Sequence, residues 1–159
     1  MRNRIILFII IVLIFLIKLN LATAVTVTVC TSGCNYTAIQ GAIYNASSGD
    51  VINVLNGTYT ENITVNASVT LNATPYISLT GGFNVSASSV TIKGFNITEG
   101  IKLDQSGLAG SYKIGILIND SNNNIIYNNY FTNITGVNGT DGDSDYIRGG
   151  IAVLVVLFI

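Results

Sequence analysis

Four residues return after an interval of 21: Ser68-Val69-Thr70-Leu71 recurs as Ser89-Val90-Thr91-Ile92. A second match, Ile92-Lys93-Gly94-Phe95-Asn96-Ile97 with Ile126-Tyr127-Asn128-Asn129-Tyr130-Phe131, has an interval of 34, which is 21 plus 13. The surplus falls between Glu99 and Lys113, where the chain is rich in Gly and polar residues. One unit of about 21 residues with one inserted loop accounts for both intervals. A unit that short cannot enclose a core alone and buries its apolar face only against copies above and below it.

The apolar residues agree. Val51/Ile52/Val54, Ile63/Val65, Val69/Leu71, Ile77/Leu79, Phe83/Val85, Val90/Ile92 and Phe95/Ile97 are short sets separated by Asn, Gly, Ser and Thr. Their period of two predicts strands with alternate side chains turned inward. The spacing predicts strands of three to five residues, shorter than those of a typical sandwich. Asn122-Asn123-Asn124 and Asn128-Asn129 suit turns, because Asn tolerates left-handed backbone and stacks on equivalent residues.

Ahead of the repeats lies a different pattern. Val25 to Val29 alternates Val and Thr, as a strand does, and leads into Cys30-Thr31-Ser32-Gly33-Cys34. In an exported chain so close a cysteine pair predicts a small-loop disulfide between Cys30 and Cys34, whereas two thiols alone make an incomplete zinc site. Thr37-Ala38-Ile39-Gln40 has capping-box form, and Ala38, Ile39, Ala42 and Ile43 make one apolar stripe at helical spacing. The expected helix ends between Asn45 and Gly49 and seals the near end of the repeat core.

Export is read from residues 1–24. Arg2 and Arg4 form a basic start, Ile5 to Ile17 is an apolar run, and Ala22-Thr23-Ala24 is a small-x-small cleavage site. Lys18 closes the run short of the ~20 residues a membrane span needs. The expected organisation is a signal peptide over 1–24, a strand, disulfide loop and capping helix over 25–48, and repeats over 49–159. Without residues 1–24, Lys93, Lys102, Lys113 and Arg148 face eight acids, a net charge of 4 − 8 = −4. Four scattered basic residues give no footprint for nucleic acid and no patch for anionic membrane.

These residues resemble those of a known family. Cys34-Asn35-Tyr36-Thr37-Ala38-Ile39-Gln40 with Ala42-Ile43, Gly49-Asp50-Val51-Ile52, Asn56-Gly57-Thr58-Tyr59-Thr60-Glu61-Asn62 and Asn123-Asn124-Ile125-Ile126-Tyr127-Asn128-Asn129 are similar to motifs of archaeal exported proteins with right-handed parallel β-helix repeats, in the pectate-lyase-like group of folds. The resemblance spans about residues 30 to 135. It implies an all-β fold: a right-handed, single-stranded parallel β-helix, or β-solenoid, behind a short N-terminal capping helix. It also implies turn and cap roles for Asp50 and Glu61. It does not fix function, because such repeats serve lyases, hydrolases, adhesins and inert scaffolds.

The sequon Asn-x-Ser/Thr is the most frequent functional pattern. It begins at Asn35, Asn45, Asn56, Asn62, Asn66, Asn72, Asn84, Asn96, Asn119, Asn133 and Asn138. Chance placement of 17 Asn among 27 Ser and Thr over residues 25–159 gives about three. Strands of Asn and Thr alternating with an apolar residue generate the pattern automatically, yet the same alternation turns Asn and Thr outward, as attachment of N-linked glycans requires. Asp141, Asp143 and Asp145 form the first part of a Ca²⁺ loop, but the later Glu is missing and a solvated acidic turn explains them better than a Ca²⁺ site. No other cofactor is expected.

Catalytic material is sparse. The central repeats offer Glu61, Glu99, Asp104 and Asp120 as acids, and the chain has no His. Lyases on this fold need an acidic Ca²⁺ cluster with a base, and hydrolases need facing carboxylates. The insertion between Glu99 and Lys113, with Lys102, Asp104, Gln105 and Tyr112, is the one loop long enough to build a side pocket. The chain closes on Ile151 to Ile159 without a polar cap, a pattern consistent with a truncated family member, an end that stacks on a copy or another β-helix chain, or membrane contact. The sequence therefore predicts a secreted, N-glycosylated, non-catalytic cell-surface protein, structural, adhesive or in contact with polysaccharide. The competing class is a polysaccharide lyase or glycoside hydrolase on the same fold.

Overall fold

The 21-residue interval is a hydrogen-bond register. Thr70 pairs with Thr91 and Leu71 with Ile92, both in parallel. The 34-residue interval is another, pairing Ile126 with Ile92 and Phe131 with Ile97. The computed structural model describes residues 3–8, 23–75, 77–104 and 111–134. Residues 3–8 are helical and exposed; among the described residues no helix is long and apolar enough to cross a membrane.

The fold is mostly β. Strands β1 (Thr26–Val29), β2 (Val51–Val54), β4 (Thr70–Ala73), β6 (Thr91–Lys93) and β11 (Ile125–Tyr127) form one sheet in that spatial order. The second sheet holds β3 (Gly57–Val65), β5 (Ile77–Val85), β7 (Asn96–Glu99), β10 (Ile116–Ile118) and β12 (Tyr130–Thr132). Every described pairing within these two sheets is parallel. From β2 to β7 the chain alternates between the sheets, so strands adjacent in sequence never pair.

Alternation along each strand then becomes columns across the sheets. Val27, Ile52, Leu71, Ile92 and Ile126 lie in register on the first sheet, and Ile63, Phe83 and Ile116 on the second. These side chains share one continuous apolar core. The opposite faces carry Thr28, Asn53, Asn72, Lys93 and Tyr127 on one sheet and Thr60, Thr80, Thr98 and Thr132 on the other. Because the side-chain period is two, a one-residue slip would exchange these columns, which fixes the register.

Two strands are longer than expected. β3 and β5 each run nine residues and pair along their whole length, from Gly57 with Ile77 to Val65 with Val85. Gly81 and Gly82 read as a break between apolar sets, but they stay in the ladder opposite Glu61 and Asn62. The inserted loop lies beside them. β5 pairs with β7 as far as Gly81 opposite Glu99, and resumes with β10 at Phe83 opposite Ile116. Between these points the chain makes an antiparallel hairpin of β8 (Ile101–Asp104) and β9 (Ser111–Ile114). It leaves the sheet through left-handed Glu99 (φ 68°) and Gly100 (φ 66°).

Helix α1 (Ile39–Tyr44) covers the near end of the core with Ile39, Ala42 and Ile43, while Ala38 stays exposed. The expected capping box does not form. Ala38 is the N-cap and makes no side-chain bond. Instead the Glu61 carboxylate, from β3, accepts the Ile39 and Gln40 main-chain amides at 3.0 Å each. Gln40 is engaged elsewhere: its amide accepts from Thr64 N at 2.7 Å and donates to Thr64 O at 3.1 Å, copying a strand pairing. A carboxylate held by two helix amides is a stronger cap than a hydroxyl, and the strand edge gives Gln40 two bonds in place of one.

The disulfide between Cys30 and Cys34 is present, with Cα atoms 5.5 Å apart. Left-handed turns occur where the Asn pattern puts them, at Asn123 (φ 56°) and Asn128 (φ 54°), and also outside it at Asn133 (φ 54°), Ser89 (φ 60°), Glu99 (φ 68°) and Asp120 (φ 47°). The residues after Asn123 and Asn128 bond the neighbouring turn. Asn124 Oδ1 accepts from Val90 N at 2.8 Å, and Asn129 accepts from Phe95 N at 3.0 Å while donating to Ile92 O at 2.9 Å.

Candidate functional site

The acids come first, because they decide whether this surface can do acid–base chemistry. Asp50 is buried at 7% exposure, with Oδ1 accepting from Val25 N at 2.7 Å and Oδ2 from Ser47 N at 2.8 Å. The amide of Val25, then that of Ser47, hold its carboxyl below the usual 3.8, against a smaller opposing effect of burial. Glu61 caps α1. Glu99 pairs with Lys113 across the base of the hairpin in a half-exposed ion pair, while residues 105–110 of the loop that the sequence offers as a side pocket lie outside the described residues. Asp120 lies exposed in the left-handed turn after β10. Among the described residues no group of three His, Cys, Asp or Glu side chains could hold a metal. Asp141, Asp143 and Asp145, with Asn138 and Ile151 to Ile159, lie outside the described residues.

Of the described sequon asparagines, Asn62, Asn72, Asn84 and Asn96 lie within strands, and the others lie in turns or connections. In Asn62-Ile63-Thr64, Asn84-Val85-Ser86 and Asn96-Ile97-Thr98 the middle residue is fully buried, while the flanking residues are exposed or half-buried. Asn133 and Ile134 keep the same order. Asn35, Asn45, Asn56, Asn62 and Asn66 are exposed, and Asn72 and Asn119 half-buried. In the other described sequons the middle residue ranges from buried Ala73, through half-buried Tyr36, Ala46, Gly57 and Ala67, to Asp120, exposed in a turn.

The amide nitrogens divide the sequons further. Asn72 Nδ2 donates to Asn53 Oδ1 at 2.9 Å, and Asn45 Nδ2 to Gly41 O at 2.9 Å, so both already have partners. Asn35 uses only its oxygen, accepting from Thr28 N and Oγ1 at 2.9 and 3.0 Å. In Asn84 and Asn96 the oxygen is buried without a hydrogen bond.

Asn96 borders a recess of about 420 Å³ at the bend between the two sheets, lined by Ile77, Ser78, Gly94, Phe95, Asn128 and Tyr130. Register builds it. Ser78, Asn96 and Tyr130 are successive members of one column on the second sheet. Gly94 (φ 82°) lets the chain lie close against β4 at this bend, since a Cβ there would stand 2.6 Å from Ala73 O. Tyr130 is 67% exposed, and beyond the bend Tyr127 carries Lys93 Nζ 5.7 Å from its ring centre. No carboxylate or lysine lines the recess. It offers amides and hydroxyls that both donate and accept, beside the rings of Phe95 and Tyr130, and no group suited to moving a proton near neutrality.

The sequence reading found the column's Asn96 as a sequon but missed its neighbours. The signal was available, for the interval of 34 that aligns Phe131 with Ile97 also aligns Tyr130 with Asn96. Comparison with known proteins finds no matching family model, no matching curated protein and no matching solved structure.

Proposed function

We propose that this chain is an exported, N-glycosylated surface protein whose right-handed parallel β-helix is a non-catalytic scaffold, displaying neutral hydroxyl and amide columns toward glycans. The β-helix reading is supported by the alternation between two parallel sheets at intervals of 21 and 34 residues. The glycoprotein reading rests on one observation: strand pleating on β3 buries Ile63 fully and leaves Asn62 and Thr64 exposed on either side of it. Asp50, Glu61 and Glu99 have structural partners, which weighs against the lyase or hydrolase reading.

The test is site-resolved mass spectrometry of the protein from its native source, before and after glycan removal. Attachment is expected at exposed Asn56, Asn62 and Asn66, ahead of half-buried Asn72, one of whose two amide hydrogens is bonded to Asn53. An unmodified mature mass overturns the reading.

Carbohydrate contact is favoured by the recess. Sugars present hydroxyls at their edges and C–H groups on their faces, and an exposed Tyr beside Asn and Ser matches both. Tyr130→Ala is expected to weaken binding of soluble glucose, N-acetylglucosamine or galacturonic acid oligomers by about three- to tenfold in calorimetric titration. Equal affinity of variant and parent removes the recess from the proposal.

A further inference from the structure

We propose that proteolytic removal of residues 1–24 leaves the new α-ammonium group of Val25 paired with the carboxylate of Asp50, so that export processing charges a bond the fold has already built. The inference rests on the export reading above. Hydrolysis of the Ala24–Val25 bond by a membrane-bound signal peptidase consumes one water: the Ala24 carbonyl carbon takes its hydroxyl, and the departing nitrogen takes its hydrogen. Near neutrality the products are a carboxylate on the leader and an ammonium on Val25.

The geometry receives that ammonium without rearrangement. Val25 N lies 2.7 Å from Asp50 Oδ1. Its position is fixed from the other side, because Val25 O accepts from Val51 N at 2.9 Å and the next residue, Thr26, begins the β1–β2 register. Asp50 is fixed as well, its second oxygen accepting from Ser47 N. The carboxylate is buried at 7% exposure, while Val25 is 52% exposed. The ammonium therefore keeps water on its remaining hydrogens and incurs little desolvation, while its partner sits where screening by salt is weak. Around Asp50 the turn of residues 45–49, the start of β2 and the turn ahead of β4 contain Asn, Ala, Ser, Gly, Val, Ile and Thr, and no other ionisable side chain. An ionised donor makes a hydrogen bond roughly twice as strong as a neutral one.

The pH window follows from both partners. An unfolded α-amino group titrates near pH 8, and pairing raises it, so the added stability is present below that value and lost as pH rises through the folded one. Asp50 is depressed, so at the acid end the stability is lost as pH falls below its usual 3.8.

Two forms of the mature chain test this, one beginning at Val25 and one carrying Gly-Ser ahead of it. Near neutrality the extended form is expected to have an unfolding constant about five- to tenfold larger in urea titrations. The difference should close near pH 10, shrink as pH falls below 3.8 toward the depressed value of Asp50, and disappear on Asp50→Asn. Equal stability, or a difference that survives Asp50→Asn, overturns the pair. Should Asp50→Asn fail to fold, NMR titration of the Val25 amino group decides: a value above about 8 supports the pair, and an ordinary one overturns it. N-terminal sequencing of the exported protein separates the two readings. A first residue other than Val25 defeats the processing step, whereas Val25 without the stability difference defeats only the ion pair.

Discussion

Phe83→Ala is expected to lower the unfolding free energy by about 3–5 kcal/mol, a large share of the ~5–15 kcal/mol that holds an ordinary domain folded. Phe83 is fully buried in the middle of β5, with Ile63 in register on one side and Ile116 on the other. Its ring meets Phe95 edge to face, with centroids 5.0 Å apart and planes at 77°. The cost should sit at the upper end because the surrounding strands are tied by ladders on both sides, and a cavity there cannot be filled by a small side-chain shift. Phe83→Leu keeps most of the volume and should cost clearly less. Equilibrium urea unfolding followed by far-ultraviolet circular dichroism measures both; equal losses would mean that the site relaxes and that the core is less tightly constrained than its registers imply.

Gly81→Ala should be nearly as damaging although it removes nothing. At φ 128° an L side chain is strained, and a Cβ would stand 2.1 Å from Glu61 O and 2.8 Å from Glu61 C. Backbone cannot give way as a side-chain tip does, so Glu61 must move. Its carboxylate holds the first two amides of α1, and the displacement therefore reaches the helix that closes the core. A loss of about 3 kcal/mol or more is expected, combining local strain with a weakened cap. Gly41→Ala is the control. It lies within α1 with its nearest contact at 3.9 Å, and should raise stability by about 0.5–1 kcal/mol. Similar thermal midpoints for the two variants would remove the argument from close approach.

Register was legible in the sequence because a repeat that stacks on itself writes its pairing as an interval, and Thr70 with Thr91 and Ile92 with Ile126 could be read directly. The inserted loop was legible for the same reason, as the difference between two intervals. Strand length was not. Gly81-Gly82 carries the local signature of a break, and only the neighbouring strand at Glu61 and Asn62 keeps it extended. Local spacing misread the helix cap by making Thr37 and Gln40 partners, while the acceptor is Glu61, 22 residues beyond Ile39, in the cap role that the family resemblance implied for it. The recess followed neither rule. Ser78, Asn96 and Tyr130 belong to three strands and become neighbours only when the columns are drawn.

The hairpin of β8 and β9 departs beside Gly81 and returns beside Phe83, so the parent strand β5 passes it without losing register. Its length is thereby uncoupled from everything the core requires. The molecule has in effect a socket: a position where the number of residues between Gly100 and Gly115 is set by what the loop carries, not by what the sheets must bury. Longer or foreign segments grafted there would be displayed at a fixed height on the second sheet, leaving the columns on either side to hold the same spacing.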